Sequence, residues 1–317
     1  MKIVIMDGSA ANPGDINWKP FEEIGEVIAY DVTSKDEIIP RAKDADIVIT
    51  NKTPFTRETI EALPSLKYIG VLATGYNVID LEAARDHNIV VTNVPEYGTY
   101  ATMQHTIAML LELTNHVASH SNSVMAGDWI KSPQFCYWNH PLTELWGKTM
   151  VVVGYGKIGS KVCDTARALG MNVIAVPHKL TKKEENGITF EKFEDAIEKA
   201  DVISLHAPLT SETKNLINAQ NISKLKDGVL IINAARGPMV VESDIRDGLV
   251  SGKIGGFACD VVSMEPMAED NPLLGAPNCI ITPHIAWAPK ETRERLIVAA
   301  RDNIKAFLGG KPINKVN

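Results

Sequence analysis

Two hydrophobic patterns alternate along the first third of the chain. Short apolar runs rich in β-branched residues recur, and segments with the spacing of amphipathic helices lie between them. Ser34 with Glu37 can form a capping box before one of these segments, and Thr56 can cap another. This alternation predicts a parallel α/β sheet. The predicted strands cover residues 2–6, 27–30, 46–50, 68–72 and 89–94.

A second series of apolar runs follows a segment of helix-forming residues at 100–122. Six such runs make a full doubly wound sheet. Residues 289–308 then show helical periodicity, with Glu291 early and Lys305 late, as the helix dipole favours. The predicted fold class is α/β, with two doubly wound parallel-sheet domains. The strands of the second sheet are predicted at residues 150–153, 172–176, 201–205, 229–233, 256–261 and 279–282.

Length and composition narrow the class of protein. A chain of 317 residues suits about two domains, and a net charge of -7 disfavours nucleic acid or an anionic membrane as partner. A small-molecule partner is expected instead. The four cysteines form no Cys-x-x-Cys pair, so neither a disulfide framework nor a metal site is indicated, and a reducing cytoplasm is the expected compartment. No apolar stretch approaches the roughly 18 residues of a membrane span.

The predicted strand at residues 150–153 runs directly into a Gly-x-Gly-x-x-Gly turn, and an amphipathic segment follows it. In such a turn the glycines permit a tight bend, close approach of the backbone to a pyrophosphate, and close packing of helix on strand. A turn that binds nothing is the alternative, but the flanking strand and helix favour NAD or NADP. The residues expected at the cofactor are Gly154, Tyr155, Gly156, Lys157, Ile158 and Gly159.

The acidic residue that this fingerprint normally places at the end of the next strand is missing. Pro177, His178 and Lys179 stand there instead, so no carboxylate repels a 2'-phosphate and two basic groups can attract one. NADP is therefore a candidate beside NAD. The alternative is that His178 and Lys179 are solvated turn residues, and the sequence leaves the two cofactors open.

Three groups suited to reduction of a 2-keto acid each follow a predicted strand of the second sheet. Arg236 can hold a carboxylate through two parallel hydrogen bonds and polarise a ketone. His284 can deliver a proton near neutral pH, and a carboxylate such as Glu265 on its other ring nitrogen would orient the imidazole and favour its charged form. Each residue alone is more often structural, but ligands gather at the carboxyl ends of parallel strands.

These motifs, in this order behind a dinucleotide-binding turn, resemble the D-isomer-specific 2-hydroxyacid dehydrogenases nearly end to end. The resemblance implies that Arg236, Glu265 and His284 are the catalytic groups. It also places Asp260 near the nicotinamide carboxamide and His206 beside the cofactor, with a packed histidine at the strand end as the alternative for His206. With His178 and Lys179 from the loop described above, the further residues expected beside the cofactor are His206, Ala207, Pro208, Ala234, Ala235 and Asp260.

Two segments of the first domain resemble the substrate side of that family. Glycine at position 75 permits close approach of a backbone whose N–H groups would bind the substrate carboxylate. Residues 94–99 and 135–141 are similar to the glycerate dehydrogenases, also called hydroxypyruvate reductases, which implies reduction of hydroxypyruvate and of glyoxylate. The substrate-binding residues implied are Lys52, Ala73, Thr74 and Gly75, together with Arg236.

The resemblance also implies an architecture. A Rossmann cofactor domain at residues 99–286 is inserted into a flavodoxin-like substrate domain made of residues 1–98 and 287–317. A homodimer is expected, with the apolar segment 107–113 either at the subunit contact or in a buried helix. Two alternatives remain, a phosphoglycerate dehydrogenase-like enzyme and a non-catalytic NAD-binding protein that resembles a corepressor.

Overall fold

Five parallel strands form the sheet of the first unit in the computed structural model, which describes residues 1–317. Their order is β2-β1-β3-β4-β5, the flavodoxin-like order. β3 and β4 are buried along their whole length, as expected where helices cover both faces of a parallel sheet. The strands are β1 (Lys2–Ile5), β2 (Glu26–Ala29), β3 (Ile47–Thr50), β4 (Tyr68–Val71) and β5 (Val90–Thr92).

Local capping explains where the helices between these strands begin. The Thr56 side chain accepts a hydrogen bond from the Thr59 N–H, and Asp80 accepts one from Ala83. The capping box of Ser34 and Glu37 is present and opens a short 3-10 turn before the second helix. The helices are α1 (Lys19–Glu22), α2 (Ile38–Ala42), α3 (Arg57–Glu61) and α4 (Leu81–Asp86).

The second unit contains an eight-stranded sheet in the order β13-β12-β11-β10-β6-β7-β9-β8. Its inner part reproduces the 3-2-1-4-5-6 order of a Rossmann fold, so the predicted fold class is confirmed. β8 and β9 were not predicted; they form a hairpin around Asn186 and Gly187 at the sheet edge. The strands are β6 (Thr149–Val153), β7 (Asn172–Val176), β8 (Glu184–Glu185), β9 (Ile188–Phe190), β10 (Val202–Leu205), β11 (Val229–Asn233), β12 (Ile254–Cys259) and β13 (Cys279–Ile281).

The helical segment predicted at residues 100–122 is divided in two. His116 adopts a left-handed conformation with φ 49°, and its ring lies 4.7 Å from that of His140. The chain therefore changes direction there, which the helix-forming composition did not indicate. The helices of this unit are α5 (Thr99–Asn115), α6 (Val117–Met125), α7 (Asp128–Lys131), α8 (Lys157–Ala168), α9 (Phe193–Ile197), α10 (Ala219–Ile222) and α11 (Glu242–Ser251).

The apolar segment 107–113 lies in the core of the second unit. Ile107, Met109, Leu110 and Leu113 are buried there with residues of the sheet such as Val152. These side chains are therefore buried within one subunit, which agrees with the buried-helix alternative left open by the sequence.

The chain returns to the first unit through α12 (Lys290–Leu308). Leu296, Ile297 and Ile304 are buried against that unit's sheet. After the helix, Lys315 forms a β-bridge with Thr92, and the Asn317 side chain accepts a hydrogen bond from the Val91 N–H. Two compact units result: Met1–Gly98 with Trp287–Asn317, and Thr99–Ala286. None of the helices has the length and apolarity needed to cross a membrane.

Candidate functional site

The three glycines of the turn after β6 meet three different steric demands. Gly154 has φ +97°, and a Cβ there would lie 2.5 Å from the Ala207 nitrogen. A Cβ on Gly159 would lie 1.9 Å from the Gly154 carbonyl oxygen, so helix α8 can pack this closely only on glycine. A Cβ on Gly156 would meet nothing within 4 Å. The turn thus leaves open space at the position where a pyrophosphate would need it.

Of the other residues in the turn, Tyr155 and Ile158 pack against the core and Lys157 is exposed. The Tyr155 ring packs edge-on against Phe190 at 4.9 Å, and Ile158 contacts the same apolar core. Lys157 is exposed and begins α8, whose N-cap Gly156 has no side chain to cap the helix. Backbone N–H groups at the helix start are therefore the groups that this turn offers to an anion.

His178 and Lys179 are both exposed in the loop after β7. The Glu212 carboxylate lies 4.0 Å from the His178 ring nitrogen Nδ1, and both side chains are largely open to solvent. The Lys182 ammonium is already engaged, because it pairs with Glu185 and lies over the Phe190 ring. The basic groups nearest the end of β7 are thus His178 and Lys179.

His206 lies directly behind the phosphate turn, after β10. Its Nε2 is 2.7 Å from the Ser204 hydroxyl, while its Nδ1 is buried with no hydrogen-bond partner. Burial lowers the pKa of His206 to about 4, so the ring is neutral near pH 7. A buried polar atom without a partner is rare in a native protein and indicates a missing contact at this position.

Together, the open space at Gly156, the uncapped start of α8 and the buried Nδ1 of His206 fit a dinucleotide. Ala207 lies against Gly154, and Pro208 beyond it is exposed. The residues predicted on both sides of the turn are therefore brought together at one edge of the sheet.

Arg236 is held by a local turn at the end of β11. The buried Asn233 side chain donates to the Arg236 carbonyl at 2.9 Å and accepts from the Ala235 N–H at 3.1 Å. Ala234 is half-buried and Ala235 buried, whereas Arg236 itself is exposed and donates through Nη1 to the Ala235 carbonyl. The turn fixes the backbone and leaves guanidinium N–H groups available.

Glu265 and His284 form a direct pair. The Glu265 Oε2 lies 2.7 Å from the His284 Nδ1, and each side chain is about one third exposed, at 34% and 32%. Because Nδ1 is engaged, Nε2 is the ring nitrogen free to exchange a proton with a substrate. Arg236, Glu265 and His284 follow β11, β12 and β13, which are neighbours in the sheet.

Asp260 organises the loop that carries His284. Its carboxylate is buried and accepts from the Thr282 hydroxyl at 2.6 Å and from the N–H groups of Ile285 and Ala286, both at 2.8 Å. The His105 ring also lies 3.5 Å from it. Both oxygens are therefore used in holding residues 282–286, and contact with a nicotinamide carboxamide stays a prediction.

Two residues that the sequence reasoning did not single out join the loops of this edge. A Cβ on Gly237 would lie 1.9 Å from the Val262 backbone, so the loops after β11 and β12 touch only because residue 237 is glycine. Glu242 accepts from the Ser263 N–H and hydroxyl, both at 2.7 Å. The glycine was visible next to Arg236 in the sequence, but its contact partner is 25 positions away.

The residues predicted to bind substrate in the first unit follow β3 and β4, which are neighbours. Lys52 is exposed after β3, and Ala73, Thr74 and Gly75 follow β4. The Thr74 hydroxyl donates to the Val94 carbonyl at 3.1 Å, which fixes the second loop against the chain after β5. Within this unit, the sheet order brings the two predicted segments to one edge.

Known proteins are similar to this chain in sequence and in fold. Residues 107–286 match the family described as D-isomer specific 2-hydroxyacid dehydrogenase, NAD binding domain. The hydroxypyruvate reductase of Blautia hydrogenotrophica is 50% identical over 321 aligned residues, which cover 100% of both chains. The glycerate dehydrogenase of Methylorubrum extorquens is 38% identical over 99% of this chain and 98% of that protein. The structure of an acyclic imino acid reductase in complex with NADPH and D-Arg is 28% identical, covers 100% of both chains and has a TM-score of 0.86.

Proposed function

The chain belongs to the D-isomer-specific 2-hydroxyacid dehydrogenases, and from that membership we propose that it reduces hydroxypyruvate, and also glyoxylate, to the D-hydroxy acid. Residues 99–286 are the cofactor domain in this proposal, and residues 1–98 with 287–317 are the substrate domain. The observation that carries the proposal is the 2.7 Å pair of Glu265 and His284, which follows strands of the same sheet as the glycine turn after β6.

The proposed chemistry follows from the three groups on neighbouring strands. A reduced nicotinamide dinucleotide, bound with its pyrophosphate at the glycine turn, would supply the hydride. Arg236 binds the carboxylate of the keto acid and polarises its carbonyl. His284 donates the proton on Nε2 to the carbonyl oxygen, and Glu265 keeps the ring oriented through Nδ1 and stabilises its charged form. Asp260 holds the His284 loop throughout.

For the cofactor, we propose that NADPH is accepted as well as NADH. No carboxylate follows β7 within Pro177, His178 and Lys179, and Lys179 is an exposed cation beside the end of that strand. Lys179→Glu is expected to raise the dissociation constant of NADPH about 10-fold relative to that of NADH. Binding of adenosine 2',5'-bisphosphate reports on the 2'-phosphate alone and should weaken in parallel.

The test of the substrate proposal is a set of initial rates with a small panel of keto acids and each reduced cofactor. Hydroxypyruvate is expected to give the highest kcat/KM, followed by glyoxylate. A preference for phosphohydroxypyruvate would favour the phosphoglycerate dehydrogenase-like alternative. Absence of turnover with every keto acid would contradict the proposed reaction.

We also propose a homodimer and a reducing compartment. Large apolar side chains are exposed along residues 117–146 of the second unit, and a second copy of this chain would cover them. All four cysteines are free thiols, and Cys136 is exposed, which suits the cytoplasm. The exposed apolar residues of this segment are Val117, Met125, Trp129, Ile130, Phe135, Trp138, Leu142 and Trp146.

A further inference from the structure

One carboxylate holds the whole loop that carries Lys52. Asp7 follows β1, the strand next to β3, and accepts three hydrogen bonds from consecutive backbone N–H groups. Its Oδ1 accepts from Asn51 at 2.7 Å, and its Oδ2 accepts from Lys52 at 2.5 Å and Thr53 at 2.8 Å. Charge-assisted bonds of this kind are about twice as strong as neutral ones. The loop backbone is therefore fixed by a residue 44 to 46 positions away.

Further bonds tie the same loop to the neighbouring one after β4. The Asn51 side chain donates to the Leu72 carbonyl at 2.6 Å, and the Thr50 hydroxyl donates to the Thr53 carbonyl at 3.0 Å. By contrast, the Lys52 side chain is exposed and makes no ion pair or hydrogen bond within the chain. The backbone of residues 51–53 is thus rigidly held while the ammonium group stays available.

In this arrangement the Asp7 carboxylate and the Lys52 ammonium do not pair with each other. The two Asp7 oxygens are occupied by N–H groups of the loop, so this carboxylate orients Lys52 without pairing with its ammonium. An anionic substrate then meets an unpaired cation on a fixed backbone, which lowers the entropy lost on binding.

We propose that Asp7 is a positioning residue for substrate binding, and that it acts through the Lys52 loop. This inference rests on the proposed reduction of an anionic keto acid. It predicts that removing the Asp7 charge weakens substrate binding only as long as Lys52 is present. The chemical step at Arg236, Glu265 and His284 should be unaffected.

The experiment is a double-mutant cycle on KM and kcat for hydroxypyruvate with Asp7→Asn, Lys52→Ala and the double variant. Each single change is expected to raise KM about 10-fold with kcat within about 2-fold of wild type. The double variant should have the KM of Lys52→Ala alone, because the positioned group is already gone. Independent, multiplicative effects on KM would overturn the proposal.

Asp46→Asn is the matched control. Asp46 also bonds a backbone N–H of the same sheet, that of Lys2 at 2.9 Å, and an ammonium, that of Lys67 at 2.8 Å, but it precedes β3. Its loss should lower the melting temperature and leave KM unchanged, and an equal rise in KM would reduce Asp7 to a structural role.

If Asp7→Asn does not fold, Asp7→Glu, which keeps the charge but displaces the contacts, replaces it in the cycle with an expected rise in KM of about 3-fold. A wild-type protein that reduces no keto acid would instead contradict the proposed function.

Discussion

His284 has a backbone conformation that few residues other than glycine adopt. Its φ of 55° lies in the left-handed region, where a non-glycine residue costs of the order of 1 kcal/mol. The two N–H groups that follow it both donate to the buried Asp260, which holds the loop in this shape. The imidazole is thereby directed at Glu265, and the hydrogen bonds to Asp260, which follows β12, offset the energetic cost of this backbone conformation.

His284→Gln tests the proposed proton donor directly. The amide can keep a contact with Glu265 but has no proton to donate near neutral pH, so kcat for keto-acid reduction should fall at least about 100-fold. The measurement is steady-state turnover, with NADH binding and the melting temperature as controls for an intact fold. Turnover within a few-fold of wild type would show that another group supplies the proton.

The neutral state of His206 predicts a pH-dependent stability. Its pKa is about 4 in the folded protein and 6.5 without the fold, so between these values the unfolded chain binds a proton that the folded chain does not. As the pH falls from 6.5 to 4, the free energy of unfolding should therefore decrease, by up to about 1.4 kcal/mol per pH unit.

His206→Gln removes this titration, so it serves as the comparison. Urea denaturation of both proteins at several pH values gives the difference between their free energies of unfolding. That difference should shift in favour of the variant as the pH is lowered. A difference independent of pH between 7 and 4.5 would mean that the ring titrates normally.

Several positioning residues could not be predicted from the sequence for a common reason. Asn233 ends β11, and Arg236 and Asp260 follow β11 and β12, whose apolar pattern is evident, so the location of these residues at strand ends was predictable. Asp7 and Glu242, however, act on loops about 44 and 21 positions away, and only the sheet order brings them there. The type of a side chain does not indicate which distant loop it contacts.

At the scale of elements, the strands with continuous apolar runs were predicted and the short polar ones were missed. β8 contains only Glu184 and Glu185, and β9 only three residues, so neither has a run long enough to show a period. The Asn-Gly pair between them is the signal that could have found the hairpin. The break of the helical segment at His116 had no such signal, since neither glycine nor proline marks it.

The glycine turn allows a matched pair of substitutions within one element. Gly156→Ala places its methyl group in open space at φ -97°, so the fold should persist while the dissociation constant of NADH rises about 10-fold or more. Gly159→Ala places a Cβ 1.9 Å from a backbone oxygen, so the melting temperature itself should drop. NADH fluorescence titration and thermal melting separate the two effects, and unchanged binding in Gly156→Ala would contradict a pyrophosphate at this turn.

At the scale of the whole molecule, the exposed apolar segment predicts the oligomeric state. Ile130 and Phe135 are 89% and 86% exposed, far more than large apolar residues at a solvated surface usually are. Light scattering of the wild-type protein should give twice the chain mass, and Ile130→Asp with Phe135→Asp should give the chain mass. Val32→Asp is the control, because Val32 is 70% exposed but lies in the first unit. A monomeric wild-type protein would contradict the dimer.

The discontinuity of the first unit has a consequence for how the protein is made. Its core needs Leu296, Ile297 and Ile304 of α12, and β5 needs Asn317 to complete its hydrogen bonds. During synthesis, residues 1–98 therefore emerge before residues 287–317, on which their core depends, whereas Thr99–Ala286 contains all the strands of its own sheet. The unit translated first is the one that matures last.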